Sequence, residues 1–325
     1  MRMIEDNFDK AIKNPTVIIL GSFDGIHCGH RALVKSAKEL ALKIQKKNNN
    51  EKVNLMVCTF KNHPLSVINK ELCPKLIMDN KEKCKLFEKL NIDIVNFMDF
   101  NEELMKISPE DFIKSLKVHY NAMGIVVGFN YRFGYKNLGD VELLSEYSEE
   151  LNYELMVVKP VKIRNEVVSS STIRHYIQEG NIEAANEFLN RPFMLSGEVV
   201  HGRQIGRTIN FPTLNLNYNK DFVVPQGGVY GSIVQIEGKL YKGITNIGYN
   251  PTVNGNKLSI ETYVINFSKD VYGEVINVYF IEKIRDEKKF KSVEKLKAQL
   301  ETDKNYIYSS DYNEYIIKIQ NSVVK

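Results

Sequence analysis

The chain has 325 residues, enough for about two domains at roughly 150 residues each. Its 43% hydrophobic and 26% charged residues are ordinary for a globular protein and exclude a disordered or fibrous chain. Lys+Arg 44 against Asp+Glu 40 leaves +4, too balanced for a protein that coats nucleic acid with clustered cations. Apolar runs such as Thr16–Leu20 fall short of a bilayer span, and the opening Met1-Arg-Met-Ile-Glu-Asp has no leader-like apolar core. A cytoplasmic enzyme or binding protein is the expected class, with no nucleic-acid or membrane partner and with a homo-oligomer left open.

Strands are expected at Thr16–Leu20, Val53–Thr59, Ile92–Phe97, Gly124–Val127 and Glu154–Lys159. Between the first two, Leu33, Val34, Ala37, Leu40, Ala41 and Ile44 recur at helical spacing; further helices are expected at 81–90, 109–120 and 141–151. Strand–helix alternation implies a parallel sheet whose ligands sit at strand carboxyl ends. After Asn190-Arg-Pro-Phe193 the pattern becomes short alternating runs at 196–200, 228–236, 239–246, 257–266 and 275–281, with a hairpin turn at Glu237-Gly238. That spacing implies an antiparallel barrel. Helical periodicity returns after Lys291, with Val293, Leu296 and Leu300 as its first apolar positions and Tyr312, Tyr315, Ile316 and Ile319 repeating it. The expected division is 1–186 and 187–325. Four cysteines (Cys28, Cys58, Cys73, Cys84) form no Cys-x-x-Cys pair and read as reduced apolar fillers.

Directly after the first strand stands Gly21-Ser-Phe-Asp-Gly-Ile-His-Cys-Gly-His30, leading into the first helix. Glycines 21, 25 and 29 permit close approach to the main chain, and a helix start offers free N–H groups to phosphate. His27 and His30 share one helix face and could donate to phosphoryl oxygens, or could simply cap the helix. Three more stretches fall at strand carboxyl ends: Thr59-Phe-Lys-Asn-His-Pro64, Gly128-Phe-Asn-Tyr-Arg-Phe-Gly134 with Gly139-Asp140, and Val168-Ser-Ser-Ser-Thr-Ile-Arg174. The second interleaves aromatic rings with Asn130 and Arg132, a surface for stacking flat rings or ordinary strand packing. The third joins hydroxyls to Arg174, a pyrophosphate grip or only a helix cap.

In the second half, Gly202-Arg-Gln-Ile-Gly-Arg-Thr-Ile-Asn-Phe-Pro-Thr-Leu-Asn215 is not a Walker loop. Gly202 and Gly206 permit a flap, and strand alternation sends Thr213 and Asn215 to one side, where a hydroxyl and an amide oxygen suit magnesium. Glu261, in Ser259-Ile-Glu-Thr-Tyr263, is either a base or a solvent-facing strand residue.

The Gly-x-Phe-Asp-Gly-x-His-x-Gly-His stretch resembles the signature of nucleotidyltransferases, and nearly the whole chain resembles the bacterial bifunctional riboflavin kinase/FAD synthetases. That resemblance implies an α/β nucleotidyltransferase-like (Rossmann-like) domain followed by a riboflavin kinase β-barrel with a terminal helix. It implies phosphorylation of riboflavin to FMN and adenylylation of FMN to FAD, with ATP as co-substrate and Mg²⁺ as cofactor. It implies catalytic roles for His27, His30, Arg174 and Glu261. Nucleotide contacts would come from Gly21, Phe23, Asp24, Gly25, Gly29, Asn130, Arg132, Ser169, Ser170 and Ser171, and in the kinase from Gly202, Gly206, Arg207 and Pro212. Flavin contacts would come from Asn62, His63, Pro64, Tyr131 and Phe133, and metal contacts from Thr213 and Asn215. Asn210, Leu214 and Tyr263 stand where the family has Gly, Ala and His. A single-activity adenylyltransferase or a flavin sensor is the competing expectation.

Overall fold

A computed structural model describes residues 1–202, 206, 209–252 and 255–322, and the chain divides into two compact units. The first comprises residues 1–74 and 79–169; the second comprises 75–78 and residues from 170 onward.

The first unit is built on a six-stranded sheet of β1 (Arg2–Ile4), β2 (Thr16–Leu20), β3 (Asn54–Phe60), β4 (Ile94–Met98), β5 (Ala122–Gly128) and β6 (Glu154–Val158). Its order is β1-β4-β3-β2-β5-β6 and every pair is parallel. Every residue of β2 and β4 is buried, as expected of strands covered by helices on both faces. The covering helices are α1 (Cys28–Lys47), α2 (Pro64–Ile68), α3 (Asn80–Lys89), α4 (Glu102–Lys106), α5 (Pro109–Tyr120) and α6 (Val141–Glu150). The six apolar positions read from the sequence are the ones α1 buries. Asp79, Asn101, Ser108 and Asp140 cap α3, α4, α5 and α6, each accepting an N–H three residues on. The short edge strand β1 was not expected; neither was the hairpin β7 (Lys162–Ile163) to β8 (Glu166–Val167), turned by Arg164 and Asn165 at φ 52° and 64°.

The sheet order places a switch point between β2 and β5. From β2 the chain winds outward through β3 and β4, and from β5 it winds the other way to β6. Loops leaving the carboxyl ends of β2 and β5 therefore border a crevice.

The second unit opens with α7 (Ser170–Gln178) and α8 (Ile182–Leu189) and continues into a closed antiparallel barrel. Its strands are β9 (Phe193–Val200), β10 (Thr213–Tyr218), β11 (Gly228–Ile236), β12 (Lys239–Thr252), β13 (Gly255–Val264) and β14 (Val275–Arg285), ordered β10-β13-β12-β11-β14-β9. Helices α7 and α8 fall in the second unit, and Asn186, whose amide donates to Phe280 O at 2.9 Å and accepts from Phe193 N at 2.7 Å, ties α8 to β14 and β9. The expected hairpin turn is present, with Glu237 and Gly238 at φ 49° and 78° between paired Ile236 and Lys239. A buried hydroxyl chain, Ser232 to Thr245 to Thr262 at 2.9 Å per step, crosses β11, β12 and β13.

Helices α9 (Val293–Ser309) and α10 (Asn313–Ser322) follow the barrel. Val293 is 57% exposed and does not anchor α9, contrary to the periodicity. A buried ion pair does so instead. Asp303 accepts from Arg285 Nε and Nη2 at 3.1 and 2.8 Å and from Gln299 Nε2 at 2.9 Å. Ile307, Tyr312 and Ile319 then pack with Val229, Ile233, Ile244 and Ile281.

Candidate active sites

The loop leaving β2 at the switch point is unusually bent. Phe23, Gly25 and Ile26 have φ of 51°, 91° and 41°, a region that only glycine enters freely. Burial holds the two side chains there: Phe23 and Ile26 are fully enclosed, and Phe23 packs edge-on against Phe87 at 5.3 Å. His27 then caps α1, its Nδ1 accepting His30 N–H at 3.3 Å. The capping reading and the shared-face reading are therefore both realised. The two imidazoles stack at 3.6 Å and 15°, with Phe23 behind His30 at 4.8 Å. Gly29 keeps this stack open, because a Cβ there would lie 3.1 Å from the His27 ring and 3.5 Å from Val168 O. The start of the Val168–Arg174 segment is thus brought beside the first loop. Asp24 is buried beneath it, and Gly21 lies under the Phe23 ring.

The other segments of this unit are placed as follows. Asn62 exchanges two 2.9 Å bonds with the Phe100 backbone, so its amide joins the ends of β3 and β4. His63 caps α2 by accepting Leu65 N–H at 3.1 Å, with Pro64 at the first helical position. After β5, Asn130 is exposed and Arg132 bonds Asp140 at 2.9 Å. Tyr131 stacks on Phe133 at 5.7 Å and 16°, and burial pushes its phenol pKa up. Phe133 is expected among the flavin contacts. Its ring is 5% exposed, packs on Phe112 at 5.5 Å, and closes the loop through paired backbone bonds with Gly139. Phe129, 47% exposed, and Tyr135, 39% exposed, are open rings of this loop.

Ser169 ends the first unit, whereas Ser170, half-buried, Ser171, exposed, and Arg174 belong to the second as the first turns of α7. Arg174 Nε donates to Lys75 O at 2.7 Å, fixing the guanidinium at its inner nitrogen.

In the barrel, β10 and β13 are neighbours, with Asn215 directly opposite Glu261 and Thr213 opposite Tyr263. Opposed residues point to the same face. The other face carries buried Leu216, Ile260 and Thr262, so Thr213, Asn215 and Glu261 share the half-exposed one. Thr213 Oγ1 lies 3.5 Å from Glu261 Oε2. A Cβ on Gly202 would fall 2.5 Å from Asn215 Cγ, so this glycine leaves the amide its room. The Thr213 hydroxyl and the Asn215 amide oxygen, on one face beside a glycine cradle, are hard oxygen donors that fit magnesium. Asn210 takes φ 63°, the left-handed turn that its substitution for glycine requires, and Tyr263 packs on Phe211 at 5.0 Å. Gly206 O accepts Phe211 N–H at 2.8 Å, and Pro212 is exposed. Arg207 lies outside the described residues.

Residues 9–172 match the FAD synthetase family and residues 189–310 the riboflavin kinase family. A bifunctional riboflavin kinase/FMN adenylyltransferase of Listeria monocytogenes is 35% identical over 88% of this chain and 90% of its own. The chain belongs to the bifunctional riboflavin kinase/FMN adenylyltransferase family. Members from Bacillus subtilis and Escherichia coli are 34% and 31% identical over 89% and 91% of this chain, and 90% and 93% of their own. A solved structure described as a macrolide-efflux protein of Streptococcus pneumoniae superposes with TM-score 0.84 at 31% identity, covering 95% of this chain and 99% of its own. Among the described residues here, no helix is long and apolar enough to cross a membrane.

One feature of this family member's barrel was not read from the sequence. A cavity of about 210 Å³ beside Thr213 is lined by Pro212, Leu214, Phe267, Lys269 and Tyr272. The signal was present as two aromatic residues flanking Ser-Lys-Asp-Val in the loop after β13. Leu214 forms part of its wall.

Proposed function

We propose that this chain makes FAD from riboflavin in two steps at two centres, one in each compact unit. The observation that carries the reading is this pairing: a stacked histidine pair at the switch point of the sheet, and Asn215 facing Glu261 with Thr213 alongside on the barrel. The matches to both families support two activities over a single-activity relative or a flavin sensor. The thiols are free, which accords with a cytoplasmic enzyme.

In the kinase step the riboflavin 5′-hydroxyl oxygen attacks the γ-phosphorus of ATP and the bond to the β,γ-bridging oxygen breaks, leaving ADP. The hydroxyl is a poor nucleophile until it sheds its proton in the transition state, and Glu261 receives it. Thr213 and Asn215 would hold Mg²⁺, which supplies charge neutralisation of the phosphates when bound. The cavity at Phe267 and Tyr272 offers two aromatic rings to the nucleotide's base, and Gly202, Gly206 and Pro212 are assigned to the phosphates.

In the transferase step a phosphate oxygen of FMN attacks the α-phosphorus of a second ATP and pyrophosphate leaves. Little covalent chemistry falls to the protein here; positioning and charge stabilisation carry the rate. His27 and His30 present imidazole N–H groups at the start of α1, whose positive dipole end favours phosphate. Asn130, Arg132 and Ser169 are assigned to the nucleotide, and Asn62, His63, Pro64, Tyr131 and Phe133 to the flavin. Incubating the protein with riboflavin, ATP and Mg²⁺ and separating the flavins tests the reading. FMN followed by FAD is expected; neither product, or FMN alone, would contradict it.

A further inference from the structure

Helix α3 carries a lysine where its pattern calls for an apolar residue. Its buried face is Lys83, Leu86 and Phe87, positions i, i+3 and i+4, and Lys83 is only 6% exposed. Burying an ammonium group is costly unless its donors are used and its charge is faced. Burial holds the Lys83 pKa below the usual lysine value, and one element, the bent loop that carries the histidines, supplies both an acceptor and an opposing charge. Lys83 Nζ donates to Ser22 O at 3.2 Å, and its charge is set against the Asp24 carboxylate, which is 2% exposed. Thr59 Oγ1 donates to the same carbonyl at 2.9 Å, so Ser22 O is held from β3 and α3 together. One turn further along α3, Phe87 holds the Phe23 ring.

The grip falls where the loop most needs it. Ser22 immediately precedes the left-handed run of Phe23, Gly25 and Ile26, two of which pay a conformational cost that glycine does not. That run delivers His27 to the cap of α1 and His30 to the stack beneath Phe23. A shift at Ser22 is transmitted along this rigid path to both imidazoles.

From this geometry we infer that Lys83 is a positioning residue for adenylyl transfer: through Ser22 and Asp24 it fixes the loop that aims His27 and His30 at the reacting phosphorus. The inference rests on the function proposed above and adds to it a residue that touches no substrate. Loss of the clamp lowers the rate of the chemical step more than it weakens FMN binding, since the flavin contacts lie on other loops.

The test is steady-state FMN adenylylation by the full chain carrying Lys83→Met, Lys83→Arg or Thr59→Val, with riboflavin phosphorylation by the same preparations as the internal control. Lys83→Met is expected to lower kcat on the order of 10²-fold, the cost of roughly 1 Å of misplacement, with KM for FMN within about threefold. Lys83→Arg keeps a charged donor and should recover most of that loss, Thr59→Val should give a smaller loss of the same kind, and kinase turnover should match wild type. A Lys83→Met protein with kcat within about threefold of wild type overturns the inference. So does one that loses the unfolding transition of the first unit, or one whose loss Lys83→Arg fails to relieve. Wild-type protein unable to make FAD from FMN would instead refute the functional reading beneath it.

Discussion

Gly202→Ala is expected to disable the kinase while leaving the rest of the molecule intact. Gly202 does not have a left-handed backbone, so alanine brings no conformational strain. What it brings is a methyl group 2.5 Å from Asn215 Cγ and 2.6 Å from its Oδ1, where ordinary contact begins at 3.4 Å. The amide must retreat by roughly 1 Å, and misplacement on that scale costs on the order of 10²-fold in rate. That corresponds to about 2.7 kcal/mol in the barrier to phosphoryl transfer. Because the clash is with the end of a side chain at a half-exposed site, the melting temperature should stay near that of wild type. The assay is FMN formation from riboflavin and ATP across a Mg²⁺ titration, with FAD formation from supplied FMN measured in parallel. The expected result is a large fall in the first rate, a rightward shift of its Mg²⁺ dependence and an unchanged second rate. A Gly202→Ala kinase within about threefold of wild type, with the same Mg²⁺ dependence, would refute the assignment of Asn215 to the metal.

Three further outcomes follow from buried polar groups. Asp303→Ala leaves Arg285, 13% exposed, without its carboxylate and should destabilise the barrel unit by about 3–5 kcal/mol in urea unfolding. Tyr120→Phe removes a hydroxyl that donates to Asp6 Oδ2 at 2.7 Å and accepts from Asn96 Nδ2 at 2.9 Å and Phe8 N at 3.2 Å; a loss of about 1–3 kcal/mol in the first unit is expected. Stability should also fall as pH rises above about 10, because unfolded tyrosines ionise there while folded ones stay protonated. Burial pushes the Tyr120 phenol up, with Cys58 and Asp6 adding, and burial with Glu282 does the same to Tyr312. The slope per tyrosine is at most about 1.4 kcal/mol per pH unit, and Tyr120→Phe should flatten it for the first unit.

Elements with strong local patterns were legible in the sequence. β2 was legible because a buried parallel strand is a continuous apolar run, and α1 because six apolar residues recur on one face. β1 was not, since three residues of edge strand carry no periodicity; α9 was legible as a helix, but its anchoring pair Asp303–Arg285 leaves no periodic signal. The tie of α8 to the barrel runs through Asn186, which reaches a carbonyl 94 residues away, and no local pattern encodes it. At the sites, alternation alone placed Thr213 and Asn215 on one face, but only the register could bring Glu261 opposite Asn215. The same holds for Lys83, one charge among six in an amphipathic helix until its contact with Ser22 is seen. Phe133 shows the converse: aromatic spacing flagged it, and packing against Phe112 assigned it to the core.

The sharpest check on two independent centres is a complementation measurement with His30→Ala and Glu261→Gln proteins, following flavins from riboflavin, ATP and Mg²⁺. Alone, the first should stop at FMN and the second should leave riboflavin untouched yet convert added FMN to FAD; mixed, they should restore FAD from riboflavin. If either substitution abolished both reactions, or the mixture produced no FAD, the separation of the two chemistries would be contradicted.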